Sequence, residues 1–218
     1  MTTDTVVRRR ASALQIIKPL VFAAALTPAA LLVYGFYTND LTANPLDYIT
    51  DQTGTWALSF LVISLSVTPI RRFTGWNPII KLRRMLGLFS FFYALLHMLT
   101  WLVLLNFFDV NEMVKDVFKR PFITIGMATF LILLALAVTS NQFSMRRLGR
   151  RWQRLHRLVY AAAIGAVIHF WWQVKADITL PRRWAVVVAL LLGFRIWWAW
   201  RAKSSTKPPS AARSARPA

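Results

Sequence analysis

Apolar residues run along this chain in six uninterrupted stretches, each bounded by polar or turn-forming residues. They are Pro19 to Tyr37, Thr55 to Ile70 (lengthened by Thr53 and Gly54), Met85 to Phe108, Phe122 to Ser140, about Leu155 to Trp172, and Trp184 to Trp200. A helix needs about 20 such residues, within a range of about 17–25, to cross a bilayer. In hydrocarbon a crossing segment must satisfy its own backbone, which selects helices over loops or open strands. Between the stretches stand Asn44-Pro45, Thr68-Pro69, Asn77-Pro78, Arg120-Pro121 and Pro181, the turn and cap signals expected of connectors. The pattern predicts an all-α polytopic bundle of six transmembrane helices. No internal repeat is legible.

Basic residues alternate between connectors. Arg8, Arg9, Arg10 and Lys18 precede the first stretch; Arg71, Arg72, Lys81, Arg83 and Arg84 separate the second from the third. Arg146, Arg147, Arg150, Arg151, Arg154 and Arg157 lie between the fourth and fifth, and Arg201, Lys203, Lys207, Arg213 and Arg216 follow the sixth. The other three connectors hold Lys115, Lys119, Arg120, Lys175, Arg182 and Arg183, together with seven of the eight acids. This is the positive-inside signature of an even number of spans with both termini cytoplasmic. It predicts a cytoplasmic segment over 1–18, a membrane unit over 19–200 and a disordered basic tail over 201–218. Three arginines before an Ala/Leu run also resemble a secretory signal, but its removal would leave five spans and break the alternation. The first stretch is therefore expected to stay as a helix.

Composition agrees. Among 218 residues 56% are hydrophobic and 16% charged, against about 45–50% and about 25% in soluble domains. A formal charge of +19 alone would suggest nucleic acid, but its placement makes it a topology signal, and no nucleic-acid partner is expected. With no Cys, disulfides, thiolate catalysis, cysteine-ligated iron–sulfur clusters and covalent c-type haem are excluded. Trp152, Trp171, Trp172, Trp184, Trp197, Trp198 and Trp200 lie at span ends and read as an interfacial belt. Arg195 falls inside the sixth span, where snorkelling competes with holding a propionate or a quinone.

All three histidines, His97, His156 and His169, fall in predicted spans, where ionisable groups are costly and usually functional. Span three rises outward from Arg84, placing His97 roughly 20 Å along it, in the outer half. Span five rises from about Arg154, with His156 near the cytoplasmic face and His169 at the level of His97. Two level-matched imidazoles on different helices are what a bis-histidine b-type haem needs. His156 and His169 are about 20 Å apart axially but about 140° apart in an ideal helix, so two haems on this span need either a distortion, for example at Gly165, or an offset around the helix. Arg83 and Arg84 stand where a second histidine on span three would lie. A simple interhelical hydrogen bond is the other reading of each histidine. No Gly-rich phosphate loop, HExxH pattern or buried carboxylate pair offers competing chemistry.

These residues are similar to the MsrQ/YedZ family, within the wider ferric-reductase-like transmembrane group. The resembling stretch runs from about Asn44 to Phe170. It includes Thr53-Gly54, Thr68-Pro69-Ile70-Arg71, Arg83-Arg84-Met85-Leu86-Gly87-Leu88, Ala94-Leu95-Leu96-His97, the specific block Leu148-Gly149-Arg150-Arg151-Trp152-Gln153-Arg154-Leu155-His156-Arg157-Leu158-Val159-Tyr160, and Ile168-His169. The resemblance implies a haem b on His97 and His169, leaves open a second near His156 because span three keeps only one of the group's two histidines, and implies an FMN with no site assigned. It also implies the bacterial inner membrane, the quinone pool or a flavin reductase as donor, and a periplasmic molybdopterin methionine sulfoxide reductase (MsrP-like) as acceptor. The chain would then be an electron-transfer subunit rather than a catalytic one. With short connectors and no nucleotide-binding domain, electrons are expected from a lipid-soluble carrier or separate protein. Their exit would be at His97/His169, and the loops around Asn39 to Gln52 and Asn106 to Arg120 would form the docking surface. The rival readings are a membrane metal reductase, a cytochrome b subunit of another oxidoreductase, and a haem-free transporter or assembly protein.

Overall fold

The computed structural model describes residues 3–174 and 176–205, so Lys175 and the tail beyond Ser205 lie outside it. The fold is entirely helical there: α1 Thr3–Tyr37, α2 Pro45–Thr74, α3 Leu82–Leu99, α4 Val110–Lys119, α5 Pro121–Val138, α6 Gln142–Leu148, α7 Arg150–Leu155, α8 Val159–Gln173 and α9 Thr179–Ser205. A 3-10 turn, Asn77–Lys81, leads into α3, and α3 runs on through a π-helical turn, Thr100–Leu105. A second 3-10 turn, His156–Leu158, joins α7 to α8.

Five of these helices are long and apolar enough to cross a membrane: Leu14–Tyr37, Pro45–Thr74, Asn77–Leu105, Pro121–Val138 and Thr179–Ala202. The fifth expected span, Leu155 to Trp172, is not one unbroken helix. It is broken by the turn at His156–Leu158, leaving α8 with 15 residues. The break also relocates the expected distortion, which lies at His156 itself and not at Gly165. Gly165 instead sits against the Thr129 side chain of α5, where a Cβ would collide. The third run ends its helical path at Leu105, three residues short of Phe108. The basic tail begins as helix, because α9 continues to Ser205.

Two apolar clusters hold the bundle. Leu14 and Ala25 of α1 pack with Phe60 and Val67 of α2 and Leu86, Phe89 and Tyr93 of α3. Leu58, Leu61 and Leu65 on α2 meet Leu133 of α5, Ala162 and Ala163 of α8 and Val188 of α9. Alanines at that contact let the helices approach closely, where packing rather than water expulsion drives association. Leu20, Leu31, Leu131, Leu190 and Ile196 face outward, the inside-out polarity of a chain solvated by lipid.

Polar groups close the backbone where helices are interrupted. Pro28 lies inside α1 and cannot donate to the helix ladder. The Tyr93 hydroxyl enters the gap, accepting from the Ala29 amide at 3.1 Å and donating to the Ala25 carbonyl at 2.7 Å. Gly75, at φ 65°, ends α2 in the left-handed cap conformation suited to glycine. Asp109 caps α4 by accepting from the Asn111 and Glu112 amides.

Candidate functional site

The two most extensive helix pairings are α2 with α3 and α5 with α8. Each pairing presents one histidine in the same way. On α3, the Nδ1–H of His97 donates to the Thr50 carbonyl of α2 at 2.9 Å; on α8, that of His169 donates to the Phe122 carbonyl of α5 at 2.7 Å. A carbonyl only accepts, so each neutral ring keeps its proton on Nδ1 and its lone pair on Nε2. A backbone carbonyl on the distal nitrogen is also how metal-ligating histidines are oriented and made more basic.

One helical turn beyond each carbonyl stands a glycine against the ring. A Cβ on Gly54 would lie 3.1 Å from Nδ1 and Cε1 of His97; one on Gly126 would lie 2.7 Å and 2.8 Å from the same atoms of His169. The histidine follows its carbonyl by 47 residues in both cases. A shift of 72 positions thus carries Thr50, Gly54 and His97 onto Phe122, Gly126 and His169. The site is one arrangement built twice, although the two hairpins share little residue identity. Gly54, Gly126 and the carbonyls were not singled out from sequence; the recurrent Gly-to-His spacing was the available signal.

The ring centres of His97 and His169 are 5.9 Å apart with planes at 79°. Two imidazoles sharing one metal at ordinary bond lengths of about 2.0 Å would have centres about 6.3 Å apart. The rings face a cavity of about 750 Å³, walled by apolar residues such as Leu58, Leu61, Ala94, Phe130, Leu133 and Phe170. That volume lies within the roughly 300–1,000 Å³ of cofactor pockets. The donor set fits a haem: two neutral imidazoles, each with Nδ1 taken by a carbonyl and Nε2 left as the ligating atom, line one largely apolar slot. Among the described residues no three His, Cys, Asp or Glu side chains converge, so a cage built only of protein ligands for a bare metal ion is not offered.

His156 is elsewhere. It occupies the 3-10 turn before α8, its Nε2 sits 3.1 Å from the Thr139 hydroxyl, and its ring stacks on Trp152 at 3.9 Å. The 72-position shift pairs it with Arg84, whose guanidinium contacts the Met145 sulfur at 3.5 Å. Trp152 is not a simple belt residue, since its indole donates to the Thr139 carbonyl at 2.9 Å and buttresses His156. Arg195 does not snorkel to the surface. Its guanidinium turns inward to the Tyr160 hydroxyl at 2.8 Å and the Leu65 carbonyl at 2.9 Å, a bond geometry that a solvent-seeking side chain would forgo.

Comparison with known proteins agrees with this architecture. The ferric reductase like transmembrane component matches residues 53–167. The protein-methionine-sulfoxide reductase heme-binding subunit MsrQ of Herminiimonas arsenicoxydans is 50% identical over 194 residues, covering 88% of this chain and 89% of its own. The chain belongs to the MsrQ branch of the ferric-reductase-like transmembrane family. The subunit of the same name from Ralstonia nicotianae is 48% identical over 86% of this chain and 88% of its own. That of Xanthomonas euvesicatoria pv. vesicatoria is 45% identical over 90% and 95%. No solved structure matches. Several long apolar helices and membership of this bacterial family assign the chain to the inner membrane as a multi-pass protein.

Proposed function

We propose that the chain is the haem-binding electron-transfer subunit of a methionine sulfoxide repair system, and that it ligates a b-type haem through Nε2 of His97 and His169. The observation that carries this reading is the paired Nδ1–carbonyl contact, which leaves both metal-binding nitrogens on the cavity side. When bound, a haem supplies reversible one-electron chemistry at a potential set by its ligands and burial. The Thr50 and Phe122 carbonyls fix tautomer and ring orientation, Gly54 and Gly126 admit the rings to the helix surfaces, and the apolar walls keep water from the ligated nitrogens.

The finer topology belongs to the same proposal. Six spans are completed by α8 with the turn before it, both termini are cytoplasmic, and a membrane unit over 19–200 is flanked by basic segments over 1–18 and 201–218. The positive-inside pattern then puts α4 and the His97/His169 end at the periplasm. Electrons enter from the quinone pool or a flavin reductase, pass outward, and leave to a periplasmic molybdopterin reductase of the MsrP type. His156 is the candidate ligand of a second haem at the cytoplasmic end. It would first have to release Thr139, and the opposing position holds Arg84 rather than a histidine. FMN would find counter-charge for its phosphate at that end, where Arg71, Arg72, Lys81, Arg83 and Arg84 lie around the turn between α2 and α3.

The test is the reduced absorption spectrum of the purified chain, with haem and flavin counted per polypeptide. His97→Ala and His169→Ala should each abolish the outer b-type signal, and His156→Ala should leave it. Reoxidation of the reduced chain by an MsrP-type reductase plus methionine sulfoxide should follow. A folded, colourless protein overturns the reading.

A further inference from the structure

The cavity between His97 and His169 opens toward α4 into a second hollow of about 580 Å³, and Trp101, Leu105 and Arg120 line both. Trp101 stands one turn beyond His97 on the π-helical segment, a wound-out geometry that recurs at functional sites. Its indole Nε1 is buried and has no acceptor. A buried N–H left without a partner forfeits the bonds it would make to water, so this donor calls for an acceptor in the cavity it lines.

Charge around the mouth is uneven. The charged residues lining the main cavity are Asp47 and Asp51, both on α2, and Arg120 at the start of α5. Pro121 bars Arg120 from helical geometry, and its extended backbone (φ −117°, ψ 95°) precedes the Phe122 carbonyl that holds His169. The Arg120 Nε pairs with Asp116 of α4 at 3.2 Å, an arrangement that leaves the two terminal amino groups for another acceptor. Asp109 and Glu112 complete an acidic α4 rim around the second hollow.

A porphyrin seated between the histidines carries two carboxylates, which are expelled from the apolar interior toward the wet end. Asp47 and Asp51 repel them from the α2 wall. We propose that the Trp101 indole and the terminal amino groups of Arg120 receive the porphyrin carboxylates, and that Asp116 on Nε offsets the charge of Arg120, so that the surface helix α4 is coupled electrostatically to the cofactor. The inference rests on the haem reading above and adds to it a carboxylate seat and a line of influence from the surface. A partner that draws Asp116 away would strengthen the hold of Arg120 on the cofactor and favour the reduced state, because an added electron is stabilised by a nearby cation.

The experiment titrates the purified full-length chain, stripped of cofactor in detergent, with haem and with haem dimethyl ester, following the Soret band, and then measures midpoint potentials. Wild type should bind the diester about 10- to 100-fold more weakly than haem, the range expected for charge-assisted hydrogen bonds. Arg120→Gln and Trp101→Phe should weaken haem but not the diester. Arg120→Gln should lower the midpoint, Asp116→Asn should raise it, and Arg120→Lys should retain the wild-type potential. Equal affinity of wild type for both porphyrins, or midpoints unmoved by Arg120→Gln and Asp116→Asn, overturns the inference while leaving His97/His169 ligation intact. Failure of either porphyrin to bind at all removes the haem reading and this inference together.

Discussion

Gly126→Ala is the sharpest single perturbation of the site, because its effect on the cofactor and its effect on the helix have opposite signs. The new methyl carbon would stand 2.7 Å from Nδ1 and 2.8 Å from Cε1 of His169, where ordinary contact begins at 3.4 Å. The ring must retreat by about 0.7 Å, the gap between those distances. It is tethered at one nitrogen to Phe122 at 2.7 Å, so it cannot retreat without lengthening that bond or turning its Nε2. Disturbing a partner that orients a metal ligand costs about 10- to 100-fold in affinity, or about 1.4–2.7 kcal/mol. Alanine meanwhile favours a helix interior over glycine by about 0.5–1 kcal/mol, which offsets part of the cost of about 1–3 kcal/mol for crowding the ring, so the cofactor-free protein should lose less than about 2.5 kcal/mol of stability. Gly54→Ala is the internal comparison. Its Cβ meets His97 at 3.1 Å, a shortfall of only about 0.3 Å, and it should cost less than about tenfold. Haem titration of the purified chain, followed at the Soret band and paired with thermal melts, measures both quantities. If Gly126→Ala binds haem as tightly as wild type, or if Gly54→Ala is the more damaged, the claim that these glycines seat the imidazoles is wrong.

Further expectations concern the frame around the site. Tyr93→Phe should destabilise the chain by about 1–3 kcal/mol, because it strands the Ala25 carbonyl and Ala29 amide, and Pro28→Ala should restore part of the loss; thermal unfolding in detergent checks both. Arg195→Met and Tyr160→Phe should be non-additive by at least about 1 kcal/mol in a double-mutant cycle of stability, since each side chain is the other's partner at 2.8 Å. Reporter fusions placed in α4 and just after Ser205 should report opposite sides of the membrane, and the same side for both would invalidate the six-span topology.

Much of this architecture was legible from hydropathy, because a segment in lipid must be apolar along its length and helical throughout. The runs starting at Pro19, Thr55 and Trp184 lie within helices that begin before them, while those starting at Met85 and Phe122 fill helices that stop short of Phe108 and Ser140, at Leu105 and Val138. Their boundaries moved because hydropathy marks where hydrocarbon begins, whereas caps decide where a helix ends. Hence α2 starts ten residues before Thr55 at Pro45, and α9 continues past Trp200 into charged residues. The break at His156–Leu158 was illegible, since nothing in Leu155-His156-Arg157-Leu158 forbids a helix. The inward turn of Arg195 and the bond from Trp152 to Thr139 were illegible for a related reason. Sequence shows that a long amphipathic side chain sits near an interface, but only packing shows whether it turns outward to water or inward to Tyr160 or Thr139.

The duplication shows the limit more sharply. No repeat is legible in the sequence because the two hairpins keep only what the histidine needs: a backbone carbonyl that any residue can supply, a glycine one turn on, and an imidazole 47 positions after the carbonyl. A carbonyl can be supplied by Thr50 or Phe122 alike, so the position is invisible to residue identity. The same shift sets Arg84 against His156, which makes the inner level a place where the two halves have diverged while the outer level has stayed equivalent. Equivalence of the His97 and His169 positions is what a haem held by both imidazoles would demand of its walls. The divergence confines that demand to His97 and His169.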